Sequence, residues 1–201
     1  PGAILNSVRV TVTGAAVLIE YQALNGAGTG AEMRGVRNTS GIGTVVMGTN
    51  GASVDWAALV GLESKAADAN AIAGALAGYV FNSKTRASLK KTQKGTNLDF
   101  AWPDTPPGAD GFSRVNGYRA GITNNVPSNL TKGTSSTVCS AGLFSSDWSM
   151  GVLALFGAPD VTVDPYTLAA TGQVRITLNQ YVDFGVRQPG AFAKVDDLLT
   201  P

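Results

Sequence analysis

The chain has 201 residues, of which 44% are hydrophobic and only 14% charged, and its fifteen basic and fourteen acidic side chains leave a net charge of +1. That balance supplies no long-range field for holding nucleic acid. The absence of histidine removes the usual general base near neutral pH and histidine-held zinc or iron, and the single cysteine, Cys139, excludes an internal disulfide framework and a four-thiolate metal site.

The first residues, PGAILNSVRVTV, lack an initiator methionine and do not read as a signal peptide, so the chain is expected to begin inside a longer polypeptide. No apolar run has the length of a membrane helix; Gly14–Ile19 is stopped by Glu20. Residues 8–13, VRVTVT, alternate as a strand does, and residues 15–22 fit either a strand or the last turns of a helix. Glycine then dominates from Gly26 to Gly51, which predicts a loop followed by a short strand at Thr44–Met47. Within it Gly26, Gly28 and Ala31 satisfy the G-x-G-x-x-A form of a dinucleotide-binding turn. That chemistry needs a helix to start at once, with its N-terminus facing a pyrophosphate. Gly30, Gly35, Gly41 and Gly43 oppose such a helix, and no acidic residue stands about 20 positions downstream. The loop reading is preferred.

The longest helical pattern begins after Ser53, taken as the N-cap, with Asp55 in the first turn. Its apolar stripe runs from Trp56 through Leu59, Val60, Ala66, Ala67 and Ala73 to Leu76, broken by Glu63 and Asn70. Residues 79–81 read as a buried strand and Ser83–Lys91 as a small helix capped by Asn82 or Ser83. Lys84, Arg86, Lys90, Lys91 and Lys94 fall in this stretch with no acid among them. A nucleic-acid patch is one reading; a solvated helix face is preferred, because aromatic residues are not interleaved.

Residues 95–114 read as a long loop, whose Asp99, Asp104 and Asp110 match no calcium-loop spacing. Residues 115–123 predict a turn and strand, and Val138–Phe144 a buried segment holding Cys139 as a core residue. Residues 145–155 permit a short helix or a strand. Residues 158–166, APDVTVDPY, predict a strand bounded by Pro159 and Pro165. The longest signal follows a Thr171–Gly172 turn. In residues 173–187 one parity is Val174, Ile176, Leu178, Gln180, Val182, Phe184 and Val186; the other is Arg175, Thr177, Asn179, Tyr181, Asp183, Gly185 and Arg187. This period of two predicts a two-sided strand of about 45–50 Å, ended before Pro189, with Phe192 and Val195 pinning the tail. Arg175, Asp183 and Arg187 are its candidate interface residues.

An ordered set of segments resembles the tailed-phage major capsid protein family with the HK97-type fold. These are LNGAGTG (24–30) with GVRNTSGIGT (35–44), the helix from Trp56, YVFNSKTRASLKK (79–91), VNGYRAGITNNVPSNL (115–130), LFSSDWSMGVLALFGAPDVTVDPY (143–166) and TGQVRITLNQYVDFGVRQPGAFAKV (171–195). VNGY, then VDPY, then a long alternating strand ending in RQPGAF is the specific part, and the likeness covers about residues 24–198. It implies an α+β, HK97-like capsid fold with an axial domain and a partial peripheral domain holding one long β-strand. The expected division is 1–53 as an N-terminal remnant and part of the peripheral domain, 54–170 as the axial domain, and 171–201 as the return to the peripheral domain. The family's N-terminal arm, E-loop and spine helix precede the matched region, and residues 1–23 hold too little chain for all three.

The resemblance implies a structural, non-enzymatic virion protein of a phage or prophage, without cofactor, metal or membrane contact. Its copies would self-associate into pentameric or hexameric capsomers, assembled in the host bacterial cytoplasm and enclosing double-stranded DNA without reading its sequence. An encapsulin-like compartment is the alternative, and a nucleotide-dependent enzyme using the 26–31 loop a more distant one. Some family members cross-link subunits through lysine and asparagine. Lys132 near Asn129, and Lys194 near Asp196 and Asp197, are local pairs of those types without a recognisable cross-linking motif, so no catalytic residue is assigned.

Overall fold

A computed structural model of the chain describes residues 3–4, 12–103, 106–167, 169–172 and 175–200. In chain order the elements are β1 (Ala3–Ile4), α1 (Val12–Asn25), β2 (Gly43–Val45), β3 (Ala52–Ser53), α2 (Trp56–Asp68), β4 (Gly78–Phe81) and α3 (Ser83–Leu89). They continue with β5 (Ser113–Val115), β6 (Tyr118–Ile122), β7 (Leu130–Lys132), β8 (Ser135–Ser145), β9 (Gly151–Asp164), β10 (Arg175–Val186) and β11 (Phe192–Leu199), with short 3-10 turns at Val36–Asn38, Trp148–Met150, Ala169–Thr171 and Pro189–Ala191. The contacts divide the chain into two units, one of residues 1–38 with 151–185 and one of 39–150 with 186–201. These breaks differ from the expected ones after residues 53 and 170, because β11 pairs with β8 and not with the ribbon that precedes it.

The larger unit is a mixed sheet of order β2-β11-β8-β4-β6-β5, with β3 added to β11 and β7 to β8. β8 lies between β11 and β4, so residues 139–146 are buried on both parities, as a central strand requires. Cys139 is buried in this strand. The core joins Ala58, Leu59, Leu62 and Ala66 of α2 to Tyr79, Phe81, Phe144, Val195 and Leu198 of the sheet. Tyr79 and Phe81, two apart on one strand face, stack at 5.6 Å, and Phe144 lies 4.7 Å from Tyr79. One extra residue on β11 between Val195 and Leu198 shifts its register against β8. That bulge lets both residues reach the same core although they are three apart.

Two helix boundaries correct the sequence reading. Asp55, not Ser53, is the N-cap of α2, its carboxylate accepting from the Ala58 amide at 2.8 Å. The helix stops at Asp68 and does not run to Leu76, because Asn70 turns left-handed with φ 56°. The amide of Asn70 then bonds the Ala67 carbonyl and that of Ala71 the Ala66 carbonyl, the paired closure of a Schellman cap. Of the two caps expected for the small helix α3, Asn82 is the one used, its side-chain oxygen accepting from the Thr85 amide at 2.7 Å, and the helix ends at Leu89, two residues short of Lys91.

In the smaller unit the sheet order is β1-β10-β9. Met33 and Val182 are its buried contacts, with Ile19 and Phe184 packed against them. The ambiguous segment 15–22 is helix, within α1. Of the expected strand at 8–13, residues 8–11 lie outside the described residues, and 12–13 are helical. The ribbon is extended over Arg175–Val186, twelve residues or roughly 40 Å; residues 173–174 lie outside the described residues. Pro159 does not bound β9 but sits inside it, which spans fourteen residues. β9 is an edge strand, where a missing amide donor costs no ladder bond on the open side.

Candidate assembly surface

Among the described residues, the paired strands β9 and β10 carry eight of the exposed large aliphatic and phenylalanine side chains. On β10, Val182 is buried (1% exposed) and Phe184 and Val186 are half-buried, but on the same parity Ile176 is 67% exposed and Leu178 49%. The expected one-sided burial therefore holds only near the Val182 end. On β9, Val152, Leu153, Leu155, Phe156, Val161 and Val163 are all exposed. They include both parities, so neither face of that strand is covered along its length. Gln180 spans the pair, its Nε2 donating to the carbonyls of Phe156 at 3.3 Å and Gly157 at 3.4 Å.

The three charged residues expected at the interface have different settings. Arg175 is exposed at the start of β10 and acts on Asp164, whose carboxyl is held below its ordinary range. The main cause there is the Thr167 hydroxyl, followed by the Tyr166 and Thr167 amides; Arg175 adds a smaller attraction. Asp183 is half-buried and accepts from the Phe184 amide at 2.8 Å. Arg187 is exposed, its backbone amide bonded to the Met150 carbonyl at 2.8 Å. Arg175 and Asp183 belong to the smaller unit and Arg187 to the larger.

The glycine loop is not a nucleotide turn. It follows the C-terminus of α1, the negative end of a helix, and leads into a 3-10 turn at Val36–Asn38. A bridge between Ala27 and Arg34 closes it on itself. A Cβ on Gly26 would stand 2.1 Å from the Met33 carbonyl oxygen, and one on Gly35 2.6 Å from the Asn25 and Gly26 amides. These glycines serve chain packing at a helix end.

Of the other sequence candidates, Lys132 lies 3.9 Å from buried Asp197, which also accepts from the Met47 amide at 3.0 Å. Lys194 pairs with Asp196 at 3.4 Å. Asp110 pairs with Arg119 at 2.9 Å and Arg114 at 3.2 Å, while Asp104 lies outside the described residues. Among the described residues no three His, Cys, Asp or Glu side chains gather as metal ligands, and no helix is long and apolar enough to cross a membrane.

One constellation escaped the sequence reading. Glu63 of α2 accepts from the Tyr118 hydroxyl at 2.8 Å and from Asn116 Nδ2 at 2.6 Å, and Asn116 also donates to the Tyr79 hydroxyl at 3.2 Å. Tyr79 in turn donates to the Leu59 carbonyl at 2.9 Å. Beside it is a cleft of about 370 Å³ between the end of α2, residues 71–73, Tyr118 and Phe144. The only signal was Glu63 itself, a carboxylate interrupting an apolar stripe.

The phage capsid family matches residues 11–197. The chain belongs to that family. Its fold is the HK97-like capsid fold, and the protein is a structural shell protein. It is similar in structure to the capsid of a native GTA particle (TM-score 0.63, 18% identity), covering 98% of this chain and 72% of the other. It is similar to the holo-SrpI encapsulin complex of Synechococcus elongatus PCC 7942 (TM-score 0.63, 15% identity), over 96% of this chain and 64% of that one. For Gordonia phage Cozz the TM-score is 0.59 at 16% identity, over 92% and 60% of the two chains. No curated protein matches the chain. At these identities the structural likeness establishes fold, and membership of the capsid family rests on the match to residues 11–197.

Proposed function

We propose that copies of this capsid protein associate through the β9–β10 ribbon into pentameric and hexameric capsomers of a virion shell that encloses double-stranded DNA, assembled in the cytoplasm of a bacterial host. The uncovered ribbon is the observation that carries this reading. Fully burying a side chain such as Leu155 or Ile176 stabilises by about 1.5–3 kcal/mol, and a shell repeats that gain at every subunit. Exposed Arg175 and Arg187 and half-buried Asp183 supply charge at the rim of such contacts. Because the long strand lies in the unit of residues 1–38 and 151–185, that unit takes the peripheral role, and the unit of residues 39–150 and 186–201 the axial role around the capsomer centre.

The test is mass measurement by sedimentation across protein concentration, on the complete gene product. Closed particles or rings of five and six are the expected result, and a strict monomer under assembly conditions contradicts the proposal. A compartment for cargo protein is the second reading, motivated by the likeness to the SrpI encapsulin fold. Particle contents separate the two: packaged duplex DNA supports the virion shell, and a co-purifying protein cargo without DNA supports the compartment.

A further inference from the structure

We infer that α3 and the turn after it form a phosphate-contacting face for duplex DNA. The inference rests on the shell reading for its partner, but its chemistry stands on the charges themselves. Five of the fifteen basic residues lie between Lys84 and Lys94, no acidic residue occurs between Asp68 and Asp99, and the other ten basic residues are outnumbered by the fourteen acids. A chain with almost no net charge therefore concentrates its positive charge on one segment.

The structure shows how that segment is held. Thr85 and Leu89 are fully buried and fix the inner face of α3, while Lys84, Lys90, Lys91 and Lys94 are exposed. On a helical wheel, Lys84, Arg86 and Lys90 lie off the Thr85–Leu89 arc, and Lys91 follows in the turn that closes the helix, its amide bonded to the Ser88 carbonyl. Arg86 rests over the Trp102 ring at 5.4 Å and Lys94 over the Trp56 ring at 4.6 Å, so two of the five cations are braced against indole faces. Among the described residues none of the five is in an ion pair. Lys84, Lys90 and Lys91 are the cations left to meet an outside anion.

The partner's class follows from what the face lacks. A protein interface is centred on buried apolar or aromatic side chains, yet residues 83–94 expose no large hydrophobic residue. Lysines spaced along about 10 Å of helix suit a row of phosphates, and phosphate contacts carry no sequence information. Contact by three lysines is weak for one subunit and becomes effective when many subunits face the same duplex.

Fluorescence anisotropy of the purified chain with a 30-base-pair duplex of arbitrary sequence, titrated at several salt concentrations, tests this. Binding should be independent of sequence and fall with salt at a log–log slope near −3, about 0.9 per phosphate neutralised. In the Lys84→Gln/Lys90→Gln/Lys91→Gln variant affinity should drop at least tenfold and most of the slope should vanish, with an unchanged circular dichroism spectrum. A variant that binds like the parent, or a parent that does not bind at low salt, overturns the proposal. Poly-glutamate bound more tightly than the duplex at equal charge overturns it in favour of an acidic protein partner. Gene product that stays monomeric while its DNA binding still depends on these lysines sinks the shell reading and keeps this face.

Discussion

Tyr79 shows how a single hydroxyl can organise a core. It is 1% exposed, stacks with Phe81, and has one hydrogen bond to the α2 backbone and one from Asn116. Replacing it with phenylalanine keeps the ring and leaves the Leu59 carbonyl without that donor. Tyr79→Phe should lower unfolding stability by about 1–2 kcal/mol, measurable as a reduced midpoint in urea with unchanged slope. Burial, opposed by the Asn116 hydrogen bond and aided by Glu63 and Tyr118, raises the pKa of Tyr79 well above 10.0. The hydrogen bond to Glu63, then burial, raises that of Tyr118. Both groups keep their protons in the folded state at pH values where the unfolded chain releases them. Their contribution is complete below the unfolded pKa near 10 and is lost as pH rises beyond it. Thermal midpoints should therefore fall between about pH 9 and pH 11, and the fall should be shallower in a Tyr79→Phe/Tyr118→Phe variant; equal slopes would remove the two tyrosines as its cause.

Among the elements, α2 shows how a local conformation overrides a longer pattern. Its apolar spacing continues past residue 70, but Asn70 in the left-handed region closes the helix with two backbone bonds. Alanine tolerates that conformation less well than asparagine, and glycine better. Asn70→Ala should cost about 0.5–1 kcal/mol and Asn70→Gly should be neutral or mildly stabilising; an alanine variant as stable as the parent, by its urea midpoint, would contradict the cap's role. The bulge of β11 works in the same way at strand level, since a strict period of two would turn Leu198 away from the core that Val195 enters. Cap and bulge are both set by contacts outside the pattern they interrupt.

For the whole molecule the deciding property is what the isolated chain leaves uncovered. Ile176 and Leu155 are exposed on neighbouring strands and contribute little to the stability of one chain. Ile176→Asp and Leu155→Asp should leave the thermal midpoint within about 2 °C, because surface changes stay within roughly 0.5 kcal/mol. Each should abolish or greatly reduce particle formation, checked by sedimentation velocity and negative-stain imaging. Charge reversal at Arg175, Asp183 or Arg187 should weaken assembly less and in a salt-dependent way, as rim charges do.

The ribbon at 175–186, the short strand at 78–81, the cap at Asn82 and the buried stretch ending at Phe144 were legible in the chain alone. Each is a local periodicity or a local hydrogen bond, written in neighbouring residues. The ordered motifs also disclosed the family and with it the fold. The Glu63–Tyr118–Asn116–Tyr79 network, the division after residues 38, 150 and 185, and the true setting of Pro159 were not legible. Those depend on which strand pairs with which, and pairing is a long-range choice that no window of sequence contains. Sequence by itself determined that the chain holds a long two-sided strand and few catalytic groups. Only the tertiary structure decided that the strand's apolar side is left partly bare, because burial is a property of everything that packs against a residue and not of the residue itself.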